Sequence, residues 1–511
     1  MIRLLATHRA LALVLAVMAP LYAVWCWSGQ SAHLGSDPFD YMMMAHHYAP
    51  YAPADPVFAR LASESRFPPL YPLILAAFGG GTDWYIAHEV TLACLLLGLL
   101  ALYAWMREER LGAPVAAAVA LWSLLVPETW IAGLSIQSEY PYLLFTALAF
   151  WLLARHRRTA AFSDLALAAL AVAAAVLTRT IGIALFAALA PTLWRERGRR
   201  AIAAMTVALV PLLLWHLLHR PTQAYQGALF LIYGEHPLSA LRWQLARETA
   251  ALRAGWIDDF LRLPPLRHVC EVVGVVLLLA AVRRAFLFTA DGLYVLAYLV
   301  IVLLWPYPDE ARRFLWPLIP VTLAQLMLSL RPSENAGDRR QWLAAGALAA
   351  FLLMTLPTLF YFSQRYFAPT RSGVAHPERF VSWFGTDPVS AENRVLSQIG
   401  MSEAMRAVAG HVPEGDCVLS VQSVDLTYFS GRPGHDLPLN SVPSPEFERR
   451  LAASGCEYVF IMSAGNDNYK PMFPWERIKG RVHVLDLHVT PGVEERDPKT
   501  VTILARLRSP A

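Results

Sequence analysis

Asp37 and Asp40 stand three residues apart just ahead of Tyr41. Such carboxylates can take a proton from a hydroxyl or amine. The same stretch, 36–78, holds His46, His47 and Arg66 and closes on the Pro-rich block 66-RFPPLYP-72. Further along stand Arg179 and the adjacent pair Arg312 and Arg313, close to Asp309 and Glu310. A guanidinium fork matches phosphate and carboxylate, so these arginines and Arg66 are candidate anion ligands. Glu139 follows Gln137 and Ser138 at the mouth of an apolar run. The chemistry these residues suit is proton removal by a carboxylate base near an anion held by cations.

Each residue also has a plainer role. One of Asp37 and Asp40 can cap the helix that 40-DYMMMAHHY-48 begins. His46 and His47 point different ways on a helix, so solvation is the better reading than metal ligation. Glu139 can contact a substrate or cap its helix. Tyr71, behind Pro68 and Pro69, can pack on a lipid or sugar, or anchor at the membrane interface.

The elements that must position these groups are membrane helices. The chain has 511 residues, 56% of them hydrophobic and only 16% charged. Soluble proteins carry roughly 25% charged residues. The balance of 43 basic against 39 acidic residues gives no reason to expect nucleic acid. Apolar runs fall near 10–27, 85–105, 112–127, 139–154, 162–178, 180–194, 200–218, 267–282, 285–304, 314–330 and 341–361. A span needs about 20 mostly apolar residues, fewer with snorkelling flanks. The N-terminal run lacks a convincing cleavage site and is read as a retained first helix.

With the N-terminus inside, the cytoplasmic connectors are 106–110, 155–158, 195–200, 283–284 and 331–340, and each is rich in Arg, as the positive-inside rule asks. The 28–84 loop, Arg179, the 219–264 connector, Arg312 and Arg313 then fall outside, with everything after about 362. Arginines there run against the rule, and charge at a span end is costly unless paired or functional. Within 219–264, the stretch 240–256 has the spacing of an amphipathic helix lying on the membrane surface.

From about 395 the sequence turns globular. Helices at 402–411 and 445–454 alternate with strands at 413–421 and 456–462, and further strands are expected at 481–489 and 500–507, a small α/β domain. Cys417 and Cys456 each open a strand on the oxidising side; a disulfide and two buried thiols are both open. No CxxC or metal spacing is present among the five cysteines. The stretch 425–434, with Tyr428, Phe429 and Arg432, is a candidate sugar or phosphate contact, or else packs the domain down.

The motifs 37-DPFDY-41 and 66-RFPPLYPLILA-76, followed in order by 137-QSEYPYLLF-145, 178-TRTIGIAL-185 and 312-RRFLWPLIP-320, resemble the GT-C superfamily of polytopic glycosyltransferases. Members of that superfamily include protein O-mannosyltransferases and the lipid A aminoarabinose transferase. The resemblance implies a GT-C-type polytopic α-helical membrane protein of about eleven transmembrane helices with a C-terminal soluble α/β domain. It implies a catalytic transmembrane domain at 1–362 with 28–84 as its first outer loop, a linker at 363–394, and an extracytoplasmic domain at 395–511. It implies transfer of a sugar from a polyprenyl-phosphate donor to an envelope acceptor, in a bacterial cytoplasmic (inner) membrane with the tail periplasmic.

An acid of the first loop is the base in that family: Asp37, four residues before Tyr41. Relatives carry two adjacent acids there, whereas Pro38 follows Asp37, which shifts weight towards Asp40. Arg66, Arg179, Arg312 and Arg313 would hold the donor phosphate and lipid, and Tyr41, Tyr71 and Glu139 would contact substrate. No cofactor is specified; a divalent metal is compatible. A transporter of lipid-linked sugar would use the same cations, but neither an internal repeat nor mid-span acids are evident. A non-catalytic scaffold leaves the acid and arginine combination unexplained.

Overall fold

The computed structural model describes residues 31–32, 37–126, 129, 135–196, 198–219, 237–255, 264–304, 311–330, 346, 350, 379–380, 388–439, 442–462, 474–489 and 501–508. The predicted first span, and nearly all of the last, lie outside these. The chain divides into two compact units. One contains Ser63–Tyr361; the other joins Gly29–Ala62 to Phe362–Ala511.

The first unit is helical. Two helices are long and apolar enough to cross a membrane, Trp84–Glu108 and Gly198–Leu218. A third crossing arises if Glu271–Phe286 and Ala290–Leu303, bent by 119°, form one broken span. Ala113–Leu125, Phe162–Thr178 and Leu318–Ser329 are apolar but shorter. The predicted span at 139–154 is a helix, Glu139–Thr159, whose last turn carries Arg157 and Arg158. That at 180–194 is divided between a 3-10 helix, Thr180–Leu185, and an α-helix, Phe186–Glu196. The expected eleven spans are thus not eleven long helices among the described residues.

Trp84–Glu108 opens on Asp83, whose carboxylate accepts hydrogen bonds from the backbone of Tyr85 and Ile86. It crosses Glu139–Thr159 at Gly98, where an added Cβ would lie 3.1 Å from the Leu144 nitrogen. A small residue at such a crossing lets two backbones approach. Leu95, Leu99 and Leu102 fill the shared core with Leu143, Ala147 and Phe150.

One end of this unit gathers three of the Arg-rich connectors. Arg157 donates to Glu109, Arg158 to Glu108 at 3.0 Å, and His156 Nε2 lies 2.9 Å from Glu196. Glu139 opens the same helix at its other end. Twenty residues of rise at 1.5 Å separate the two ends by about 30 Å, the thickness of a hydrocarbon core. The amphipathic stretch forms a helix, Pro237–Gly255, that packs against the short helix Ala311–Leu315 and buries Gln244.

The second unit is α/β. Strands β1 (Ser31–Ala32) and β2 (Arg379–Phe380) pair in parallel, joining the first loop to the chain after the last predicted span. The strands β3 (Val418–Ser420), β4 (Gly434–Asp436), β5 (Tyr458–Ile461), β6 (Val482–Val489) and β7 (Val501–Leu507) form a sheet in the order β4-β3-β5-β7-β6. β3 runs parallel to β4 and β5, and β7 antiparallel to β5 and β6.

Alternation along the strands fills both faces. Leu419, Val459, Ile461 and Ile503 pack with Phe447 of the helix Ser444–Ala453. Val418, Phe460 and Leu504 pack with Met405 and Val408 of the helix Pro388–His411 and with Leu426 of the helix Ser423–Ser430. The Cys417–Cys456 disulfide ties β3 to β5 with the Cα atoms 5.1 Å apart.

Candidate active site

In the second unit the loop acids sit at the start of the helix Pro38–Tyr48, with Asp37 at its N-cap and Asp40 in its first turn. Pro38 is pre-set for a first helical position. The Asp37 side chain makes no capping hydrogen bond, so the capping role open in the sequence is not the one it takes. Both acids are half-buried, whereas Phe39, Tyr41, Met42 and Met43 are buried. Tyr41 is thus a core residue of this helix, one turn from Asp37. His46 Nε2 lies 2.9 Å from the Pro53 carbonyl, which closes the following turn; His47 is exposed. Partial burial raises the Tyr48 phenol above its ordinary value.

In the first unit three charged side chains from distant parts of the sequence meet. Glu139 Oε1 accepts from Arg313 Nε at 2.5 Å and forms an ion pair with Arg179 Nη1, also at 2.5 Å. Glu139 is 1% exposed, and Arg179 is also buried. Arg179 Nη1 donates to Ser138 Oγ at 3.0 Å, and its guanidinium lies 5.3 Å from the Phe314 ring. These side chains carry two positive charges and one negative. Glu139 Oε2 is buried and accepts no hydrogen bond from the described residues.

Backbone breaks place each member. The helix Phe162–Thr178 stops at Arg179, which is extended at φ −148°, ψ 133°, and the 3-10 turn follows at once. Gly182 permits that turn: an added Cβ would lie 2.7 Å from the Ala175 carbonyl. Arg313 is held through its neighbours. Tyr298 donates to the Phe314 carbonyl at 2.5 Å, and Trp316 Nε1 donates to Thr129 Oγ1 at 2.9 Å. Tyr140, next to Glu139, donates to the Thr129 carbonyl.

Among the other residues singled out from the sequence, Arg66 is exposed with its guanidinium 5.3 Å from the Phe67 ring. Tyr71 is fully buried with its hydroxyl 2.6 Å from Thr91 Oγ1, holding the helix Leu70–Ala77 to Trp84–Glu108. The backbone of Arg312 lies in Ala311–Leu315, and its side chain is outside the described residues. Arg432 donates to the Val412 and Ala409 carbonyls at 2.8 and 3.0 Å, closing the end of Pro388–His411. Its role is a C-terminal cap. What the sequence did not give is Glu139 as the shared partner of two arginines, since its spacing from either carries no period.

Cys417, His435 and Cys456 lie close enough to share an ion, but both sulfurs are engaged in the disulfide. Metal binding by a cysteine needs the thiolate.

No family model matches the sequence, and no curated protein matches it. In fold the chain is similar to ArnT from Cupriavidus metallidurans bound to undecaprenyl phosphate, with a TM-score of 0.52 and 13% identity over 98% of this chain and 99% of that one. It also aligns with the archaeal oligosaccharyltransferase AglB from Archaeoglobus fulgidus in complex with an inhibitory peptide and a dolichol-phosphate. There the TM-score is 0.49 at 10% identity, over 90% of this chain and 70% of that one. At 13% identity the likeness to ArnT is one of fold.

Proposed function

We propose that this protein is an integral membrane glycosyltransferase that moves a sugar from a polyprenyl-phosphate donor to an envelope lipid, glycan or protein. Its chemistry would lie on the outer face of a bacterial cytoplasmic membrane, with the N-terminus cytoplasmic and the tail periplasmic. The observation that carries this reading is the cluster of buried Glu139 and Arg179 with half-buried Arg313 at one end of an apolar helical unit. Two guanidiniums balanced by one carboxylate suit a single phosphate, and the surrounding apolar helices suit a prenyl tail. Arg66 and Arg312 would add to the same charge. The ArnT likeness, a protein bound to undecaprenyl phosphate, agrees with that ligand class.

In the proposed step the acceptor oxygen or nitrogen attacks the anomeric carbon. The bond from that carbon to the phosphate oxygen breaks, and its electron pair leaves with polyprenyl phosphate. The acceptor proton passes to Asp37, or to Asp40 as the second candidate. The arginines offset the charge growing on the leaving phosphate. Glu139 Oε2 offers an acceptor to a donor-sugar hydroxyl or amine. Tyr41 and Tyr71, both buried, would act by shaping the walls.

Purified protein in lipid nanodiscs, given a labelled polyprenyl-phosphate sugar and an envelope extract, tests this. Labelled acceptor and released polyprenyl phosphate are the expected result. Transfer only from a sugar nucleotide would overturn the donor class. Passage of intact donor across a vesicle membrane without cleavage would favour a transporter.

A further inference from the structure

The first-loop segment and the tail belong to one compact unit, and aromatic rings join them. Phe39, between Asp37 and Asp40, is fully buried, with its ring 5.0 Å from Tyr428 and 5.2 Å, edge-on, from Phe429. Phe58, on the next loop helix Pro56–Glu64, lies parallel to Tyr428 at 6.4 Å. Arg60 Nη2 lies 3.3 Å from His435 Nε2, and the Arg406 guanidinium sits 4.8 Å from the Phe429 ring. Tyr428 and Phe429 sit on the helix Ser423–Ser430, anchored through Leu426 in the sheet core.

From this geometry we infer that Tyr428 and Phe429 are positioning residues for the loop acids. They fix Phe39, and so make the tail necessary for the chemical step itself. The inference rests on the proposed transferase reading for its functional half. Its structural half is the phase of one helix. Successive helical residues are turned by about 100°, so pinning Phe39 fixes the directions of Asp37 and Asp40 on either side of it. Met42 and Met43, three and four residues on, share the face of Phe39 and are also buried. Swinging the acids would drag all three out of their packing. Misplacement of a reacting group by ~1 Å can cost about 100-fold in rate. A direct sugar or phosphate contact at this stretch would affect acceptor transfer alone; a ring clamp on the catalytic helix makes a different prediction, because donor hydrolysis by water needs the same base.

The test uses full-length protein in nanodiscs with two variants. Tyr428→Ala/Phe429→Ala removes the clamp from the tail side. Phe39→Ala removes it from the loop side without touching the sheet core. Backbone amide exchange over 38–48 and donor turnover, with and without acceptor, are measured in both. The expected result is exchange faster by about tenfold or more over 38–48. Transfer and donor hydrolysis should both fall, with kcat down at least about tenfold and the donor KM within about twofold. Tyr428→Phe, which keeps the ring, should behave as wild type. Unchanged exchange in both variants would overturn the docking. Faster exchange with undiminished kcat would uphold the docking but remove the loop acids from catalysis. Lost transfer with donor hydrolysis retained would assign the tail to acceptor choice and overturn the inference.

Discussion

Glu139 and its two arginines are where single residues carry most of the account. A buried carboxylate shared by two guanidiniums cannot be removed cheaply, because breaking a buried pair leaves charge without its counter-charge, at a cost of about 3–5 kcal/mol. Glu139→Gln should therefore lower thermal stability. Added polyprenyl phosphate should restore more stability in this variant than in wild type, since the lipid supplies an anion. A Glu139→Gln protein as stable as wild type would contradict the cluster. Asp37→Asn should abolish transfer while leaving donor binding intact, because only proton removal is lost, and Asp40→Asn should hurt less. Activity assays beside donor-binding titrations separate the two, and full activity in both variants would end the case for a loop base. The individual charged residues were legible in the sequence because charge stands out against apolar runs. Their pairing was not. Residues 139, 179 and 313 share no periodicity, and only the breaks at Arg179 and around Phe314 bring them together.

At the scale of elements, two joints are predicted to matter. Gly182 lets the 3-10 turn pass within contact of Ala175, so Gly182→Ala should force that turn away and carry Arg179 with it. Overpacking of this kind costs about 1–3 kcal/mol. The expected result is a lower melting temperature with weaker donor binding, although residue 182 itself bears no side chain in the site. The second joint is the disulfide, which closes a sequence separation of 39 residues. On the chain-entropy view its loss costs about 4 kcal/mol. Reduction, or Cys417→Ser, should destabilise the tail by that order in a denaturant titration. Tail strands were readable because alternating apolar residues bounded by turns give a strong signal, as in 456-CEYVFIM-462 against β5. The helix Ser423–Ser430 was not, since its Ser and Asp residues and the Gly431 that follows read as a turn and it draws its stability from Leu426 in the core. The apolar runs at 85–105 and 200–218 emerged as single long helices, whereas 180–194 broke at the turn that presents Arg179.

At the scale of the whole molecule, contacts within the second unit constrain topology. Phe39 touches Tyr428, and β1 pairs with β2, so the first loop and the tail lie on one side of any membrane the chain crosses. The chain must then cross an even number of times between residues 62 and 379, and the ten crossings read from sequence satisfy this. A reporter active only outside the cell, fused after residue 395, should be active. An inactive fusion would move both the acids and the tail to the cytoplasm and remove access to an outer-face acceptor. The proposed function requires that the Glu139, Arg179 and Arg313 cluster hold a lipid-linked phosphate. The most direct measurement compares binding of polyprenyl phosphate with that of the uncharged polyprenol, for wild type and Arg179→Ala in nanodiscs. A charge-assisted hydrogen bond contributes about 1.5–3 kcal/mol, so wild type should prefer the phosphate by at least about ten- to a hundredfold, with most of that preference lost in Arg179→Ala. Equal binding of phosphate and alcohol by wild type, or an Arg179→Ala variant with the preference intact, would contradict it.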